Sequence, residues 1–101
     1  MKLKDIFEEL RYIAKRAYIR IRHENGRFNS GYCILNDQKL ILFNRTTPLE
    51  TKTAVLARSL LSEDLEGIYI KPAIRDFIEK EKENINNESN EFKFDLGEEN
   101  S

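Results

Sequence analysis

The sequence predicts a small α+β domain, and three changes of pattern carry that expectation. A helical apolar period opens the chain, a two-residue alternation replaces it after Ala17, and a helical period returns after Pro48. The expected order is α-β-β-β-α-β-α, with helices against a mostly antiparallel sheet. Residues 1–83 are expected to form this domain, and residues 84–101 a disordered acidic tail.

The first helix is set by Leu3, Ile6, Phe7, Leu10, Ile13, Ala14 and Ala17, which recur on one face while charged residues fill the other. Ile19 and Ile21 then alternate with Arg20 and Arg22, as in a half-buried strand. Asn25-Gly26 accepts positive φ cheaply and marks a turn. A second strand is expected at Gly31-Tyr32-Cys33-Ile34-Leu35, a turn at Asn36-Asp37, and a third strand at Lys39–Phe43. The unbroken apolar run of the third strand predicts a central position covered on both faces.

Thr47-Pro48-Leu49-Glu50 has the composition of a capping box, with Thr47 as cap and Pro48 at the first helical position. That helix is expected to run to about Ser62 on a stripe of Leu49, Leu56 and Leu60, broadened by Val55, Ala57 and Leu61. A short strand is read at Ile68-Tyr69-Ile70. Pro72 opens a last helix with Ile74, Phe77 and Ile78 inward. After Glu83 the apolar period fails, and Asn86-Asn87-Glu88-Ser89-Asn90-Glu91 has the composition of disorder.

Charge is unevenly spread. The tail sets Glu88, Glu91, Asp95, Glu98 and Glu99 against Lys93, a net of −4, so the first 83 residues carry +3 of a total of −1. Arg11, Lys15, Arg16, Arg20, Arg22 and Arg27 are opposed in that span only by Glu24. With Tyr12 and Tyr18 nearby, this strip is a candidate nucleic-acid contact, since cations neutralise phosphates and aromatic rings stack bases. The slightly acidic total falls short of the strongly basic domains that usually do this.

Few residues have catalytic or metal-binding types. One cysteine, Cys33, and one histidine, His23, do not make a structural zinc site, which needs four such ligands. No metal or cofactor is expected. Cys33 is expected mid-strand as a small buried apolar residue; a thiol enzyme using it is the reserve reading. Glu8/Glu9 and Glu63/Asp64 are adjacent pairs that diverge by about 100° on a helix and suit a solvated face better than acid–base work. Gly26 and Gly31 are turn and strand glycines, not a phosphate loop. Arg75 and Asp76, at the start of the last helix, are read equally as a recognition surface or as a solvent-exposed pair worth little.

The run from Ser30 to Ser62 resembles the scaffold of zinc metallopeptidases that cleave phage-type repressors. Leu40-Ile41-Leu42-Phe43-Asn44 matches their strand, and Leu56, Ala57 and Leu60 match the frame of their Leu-Ala-His-Glu-Leu-x-His helix. Arg58, Ser59 and Ser62 stand at the positions of the first His, the Glu and the second His. The resemblance implies a relic scaffold, pseudoenzyme-like, without the metal or the base. Gly31-Tyr32-Cys33, the following helix and Tyr69-Ile70-Lys71-Pro72-Ala73-Ile74-Arg75 also resemble small bacterial proteins, a likeness that implies no activity.

The leading expectation is therefore a non-enzymatic protein-interaction module, acting on a protein partner or by self-association as a homodimer. Phe92, Phe94 and Leu96 alternate with Lys93 and Asp95, and are expected to dock on a sheet edge. The start of the chain enters a helix without a signal-peptide core, and no stretch reaches the ~18–20 apolar residues of a membrane span. A bacterial cytoplasmic location without membrane contact is expected.

Overall fold

The computed structural model describes the backbone of residues 1–100 and the side chains of residues 1–88. Its elements are α1 (Leu3–Arg16), β1 (Arg20–Glu24), β2 (Gly31–Leu35), β3 (Gln38–Asn44), α2 (Leu49–Leu60) and α3 (Pro72–Asn100). The α+β class holds. One three-stranded sheet, in the order β1-β3-β2, carries the three helices on one face.

The apolar faces read from the sequence build the core. Phe7, Leu10, Ile13 and Ala14 of α1 meet Ile41 and Phe43 of β3, Leu56, Ala57 and Leu60 of α2, and Ile74 and Ile78 of α3. The Phe7 and Phe43 rings lie 6.0 Å apart, centroid to centroid, in a tilted pair. Thr53 completes the inward stripe of α2 in place of Leu49, which is exposed. A threonine is tolerated there because its hydroxyl donates to Leu49 O at 2.7 Å.

β3 is central, as its apolar run predicts, but helices cover only one of its faces. Ile41 and Phe43 enter the main core, whereas Leu40 is buried outside that cluster, on the opposite face. β2 and β3 form the expected antiparallel hairpin. Its two turn residues, Asn36 and Asp37, both have positive φ (52° and 64°), as a type I′ turn requires.

β1 instead pairs parallel with β3, from Arg20↔Leu40 to Glu24↔Asn44, so the sheet is mixed. The Asn25-Gly26 turn does not make a β1–β2 hairpin, because β3 lies between those strands. Two strand spacings, about 9.6 Å, separate them, and residues 25–30 cross the gap as a loop. Gly26 takes a φ of 147°, and a Cβ there would lie 3.2 Å from the Phe28 ring.

Asn44, at the end of β3, holds the crossing. Its Nδ2 donates to Gly26 O at 2.8 Å and Phe28 O at 2.9 Å. Its Oδ1 accepts from Thr46 N and Thr46 Oγ1, and its backbone N donates to Ser30 Oγ at 2.9 Å. The residue is buried, so the carboxamide has protein partners on both sides.

Three expectations change. The Thr47 hydroxyl does not cap α2, which starts one residue later with Pro48 as an uncapped N-cap; that hydroxyl lies 2.8 Å from Ser30 Oγ instead. Ile68-Tyr69-Ile70 is not a strand: it pairs with neither sheet edge, and Ile70 docks into the core without a ladder. The helical path also does not break at Asn84. α3 continues through it, and Glu88 reaches back to Arg58 at 3.0 Å. The expectation of a disordered tail beyond Glu88 falls outside the residues whose side chains are described.

The loop between α2 and α3 is tied to the hairpin by Glu63. Its buried carboxylate accepts from Tyr32 Oη at 3.1 Å and pairs with Lys39 Nζ. Lys71 Nζ to Glu9 at 2.8 Å fastens the start of α3 to α1.

Replacing Asn44 with alanine strips two loop carbonyls of their donor. Asn44→Ala is expected to destabilise the fold by about 2–4 kcal/mol, read from urea unfolding. Asn44→Asp should not rescue it, because a carboxylate cannot donate to Gly26 O and Phe28 O.

Candidate interaction surfaces

Strand pairing assigns each side chain of the sheet to a face. Ile21, His23, Tyr32, Ile41 and Phe43 lie on the helix-covered side. Arg20, Arg22, Gly31, Cys33, Leu35, Leu40 and Leu42 lie on the other, which carries no helix. Arg20, Arg22, Leu35, Gln38 and Leu40 line a cavity of about 220 Å³ on that bare side. Arg20 donates to Gln38 Oε1 at 3.2 Å, and Arg22 pairs with Glu24 at 2.6 Å.

The two sheet edges differ in chemistry. β1 is an edge strand of sequence Arg-Ile-Arg-His-Glu, and charged side chains deter pairing with another chain. β2 reads Gly-Tyr-Cys-Ile-Leu and carries no charge, proline or bulge. Its Ile34 and Leu35 are 64% and 54% exposed, and Cys33 is exposed between them and Gly31. The outer backbone edge of β2 has no partner among the described residues.

Cys33 therefore departs from the expectation of a buried thiol. Its face alternates with that of Tyr32 and Ile34 as expected, but its side of the sheet is the uncovered one. His23 lies on the opposite face, its ring 5.3 Å from that of Phe43, so the sheet itself separates the cysteine from the histidine. The reserve reading of a thiol enzyme thus has no imidazole beside its sulfur.

A second surface lies where α1 passes the edge of β1. Arg11, Tyr12 and Lys15 on α1 face Ile19, Arg20 and Ile21 across a groove of about 480 Å³. Helical spacing places Arg11, Tyr12 and Lys15 on one side of α1, and the chain reversal at Ala17–Ile19 brings Arg20 opposite them. Glu8 shares the groove and pairs with Arg11 at 3.3 Å. Beyond Lys15 and Arg20 lies a neighbouring hollow of about 530 Å³, bordered by Tyr18, Gln38 and Lys39, with Asp37 on its rim. Arg16 sits 5.9 Å over the Tyr12 ring. Of the expected basic strip, Arg11, Lys15, Arg16 and Arg20 gather here. Arg22 borders the bare sheet face, and Arg27 lies on the crossing loop past the far end of β1.

Tyr18 closes α1 in a left-handed conformation, φ 62°. Ile19 N donates to Ala14 O at 2.9 Å and Tyr18 N to Lys15 O at 3.1 Å, the two bonds of a Schellman motif. Glycine is the usual residue at that position, and a bulky side chain there costs about 1–2 kcal/mol. The Tyr18 ring is 89% exposed. Sequence reading placed Tyr18 near the strip but did not single it out; an aromatic residue where a helix should end in glycine was the available signal.

The three positions matched to the peptidase helix are occupied otherwise. Arg58 binds Glu81 at 2.9 Å and Glu88 at 3.0 Å, both on α3. Ser59 is buried and donates to Val55 O, and Ser62 donates to Ser59 O. Among the described residues, no three His, Cys, Asp or Glu side chains converge on a point that would hold a metal, and no helix is long and apolar enough to cross a membrane. Phe92, Phe94 and Leu96 lie outside the residues whose side chains are described. A comparison of the chain with models of protein families, with curated proteins and with solved structures found no match.

His23 binds its proton less readily than a free histidine, first because burial desolvates the cation, then because Lys52, Arg45 and Arg11 repel it. The unfolded chain, with a value near 6.5, takes up the proton first. This contribution is complete above that pH and is lost as pH falls below it. His23→Gln is expected to flatten the decline in the urea midpoint between about pH 7 and 5, compared with the unchanged chain.

Proposed function

We propose that this chain is a non-enzymatic protein-interaction module that self-associates through the outer edge of β2. The observation that carries the reading is an unguarded apolar edge strand on a sheet with one bare face. Edge strands are normally blunted by charge, proline or a bulge, because their free N–H and C=O groups template pairing with another chain. β1 has such protection and β2 has none.

A second copy is the simplest partner. Two β2 strands related by a two-fold axis pair antiparallel, and the same patch serves both subunits. The result is a continuous six-stranded sheet in which Ile34 and Leu35 gain cover. Cys33 is the middle residue of the five in β2. In a register centred on it, the two Cys33 side chains face each other, with Cβ atoms about 4.5–5.5 Å apart. The separation of Cys33 from His23 and the engagement of the Ser59 and Ser62 hydroxyls by helix carbonyls support a binding role over catalysis.

Mild oxidation with copper–phenanthroline should therefore link two chains through Cys33, and Cys33→Ser should abolish the product. Ile34→Lys should convert the dimer to monomer in analytical ultracentrifugation with little change in stability, since Ile34 is already largely exposed. A wild-type chain that sediments as a monomer at its highest soluble concentration would refute self-association.

A further inference from the structure

We propose that the groove between α1 and β1 binds a single-stranded polynucleotide, with Tyr18 as a base-stacking platform. This reading is independent of the β2 edge, which lies on the opposite side of the sheet.

Two unrelated observations converge on it. The first is charge placed along a track. Arg11, Lys15 and Arg20 line the groove, and Lys39 borders the hollow that continues it past Tyr18. Lys15 has no ion-pair partner among the described residues, and Arg20 is held only by the neutral Gln38. Lys39 and Arg11 are paired with Glu63 and Glu8, so Lys15 and Arg20 are the cations most available to phosphates. A linear polyanion fits a linear array of cations, and its affinity is then set by counterion release.

The second observation is conformational. The fold gains almost no burial from the Tyr18 ring, yet the backbone bears the left-handed cost of a large side chain where glycine would serve. Strain held by surrounding structure is a recurrent mark of ligand contact. The strain falls within the basic track, and it projects a flat aromatic face beside Lys15. Tyr12, half exposed on the groove wall, adds a second ring. Rings beside phosphate-binding cations distinguish a nucleic acid from an acidic peptide, because each base offers a face to stack upon. A single strand is favoured over a duplex because its bases are free to leave their stack.

The test uses the full chain and fluorescent oligothymidylate and oligouridylate of twenty nucleotides, with a duplex of the same length and poly-glutamate as competitors. Both single strands should bind, with the logarithm of affinity falling with the logarithm of salt at a slope of about −2, as for three phosphate contacts. Arg20→Glu should weaken binding and reduce the magnitude of that slope by about 0.7, the share of one contact on a single strand. Tyr18→Gly should leave the melting temperature unchanged or raised, since glycine relieves the left-handed strain, while weakening binding about ten-fold at an unaltered slope. Tyr18→Phe should restore the affinity. The two single strands separate DNA from RNA as the preferred form. No binding at low salt, tighter binding of the duplex or of poly-glutamate, or full affinity in Tyr18→Gly would each overturn the proposal.

Discussion

The carboxamide of Asn44 pins the loop through which this sheet takes its mixed topology. A chain that makes β1, turns at Asn25-Gly26 and then makes β2 would by default fold a hairpin there, because neighbouring antiparallel strands need only a short turn. The crossing loop costs order without a ladder of its own to offset it, so its carbonyls need partners. Asn44 supplies two donors to it and accepts from Thr46 on its other side. With the loop pinned, β3 has room between β1 and β2. The most buried strand then occupies the position where both edges are paired.

The character of the two sheet edges follows from that insertion. Moving β3 to the centre sends the charged strand to one edge and the uncharged strand to the other. Had β1 and β2 paired, the order would have been β1-β2-β3, and β3 with its buried residues would have stood at an edge. The α1–β1 groove depends on the same order, because it needs β1 at an edge for α1 to run beside. The helices cover one face only, since α1, α2 and α3 pack against one another as well as on Ile41 and Phe43. Leu40, Leu35 and Cys33 are consequently left on a face that three short strands cannot close by themselves.

Much of this was legible in the residues. The helical faces of α1 and α3, the Asn36-Asp37 turn and the centrality of β3 all come from local period or turn chemistry, which act over a few residues. The features that were not legible depend on distant partners. Nothing local in Thr47 shows that its hydroxyl will meet Ser30, 17 residues earlier, instead of capping its own helix. The alternation of Ile68 and Ile70 reads as a strand, but the tertiary packing that draws Ile70 into the core, away from either sheet edge, is not visible in it. Cys33 shows the limit of period reading most clearly: alternation gives two faces and cannot say which one the helices cover. The basic strip is six residues in sequence; Arg11, Lys15 and Arg20 line one groove, with Arg16 over the Tyr12 ring beside it, because the Schellman turn folds the chain back between Arg16 and Arg20.

That same turn explains how an unfavourable conformation persists at Tyr18. Its two backbone bonds hold the end of α1 from both sides, and Ile19, the next residue, is buried in the core. Releasing Tyr18 to a right-handed conformation would forfeit both bonds and withdraw Ile19. Losing bonds worth about 1 kcal/mol each, with the burial of an isoleucine at about 1.5–3 kcal/mol, outweighs strain of about 1–2 kcal/mol. The geometry is therefore imposed by Ile19 and by the helix, whatever residue stands at 18. The sequence could have satisfied it at less cost with glycine. The field that a polyanion meets at this place is local: with a Debye length of about 8 Å, it is set by Lys15 and Arg20 together with the nearby carboxylates of Glu8, Asp37, Glu63, Asp64 and Glu66, and charges on the far side of the fold contribute little.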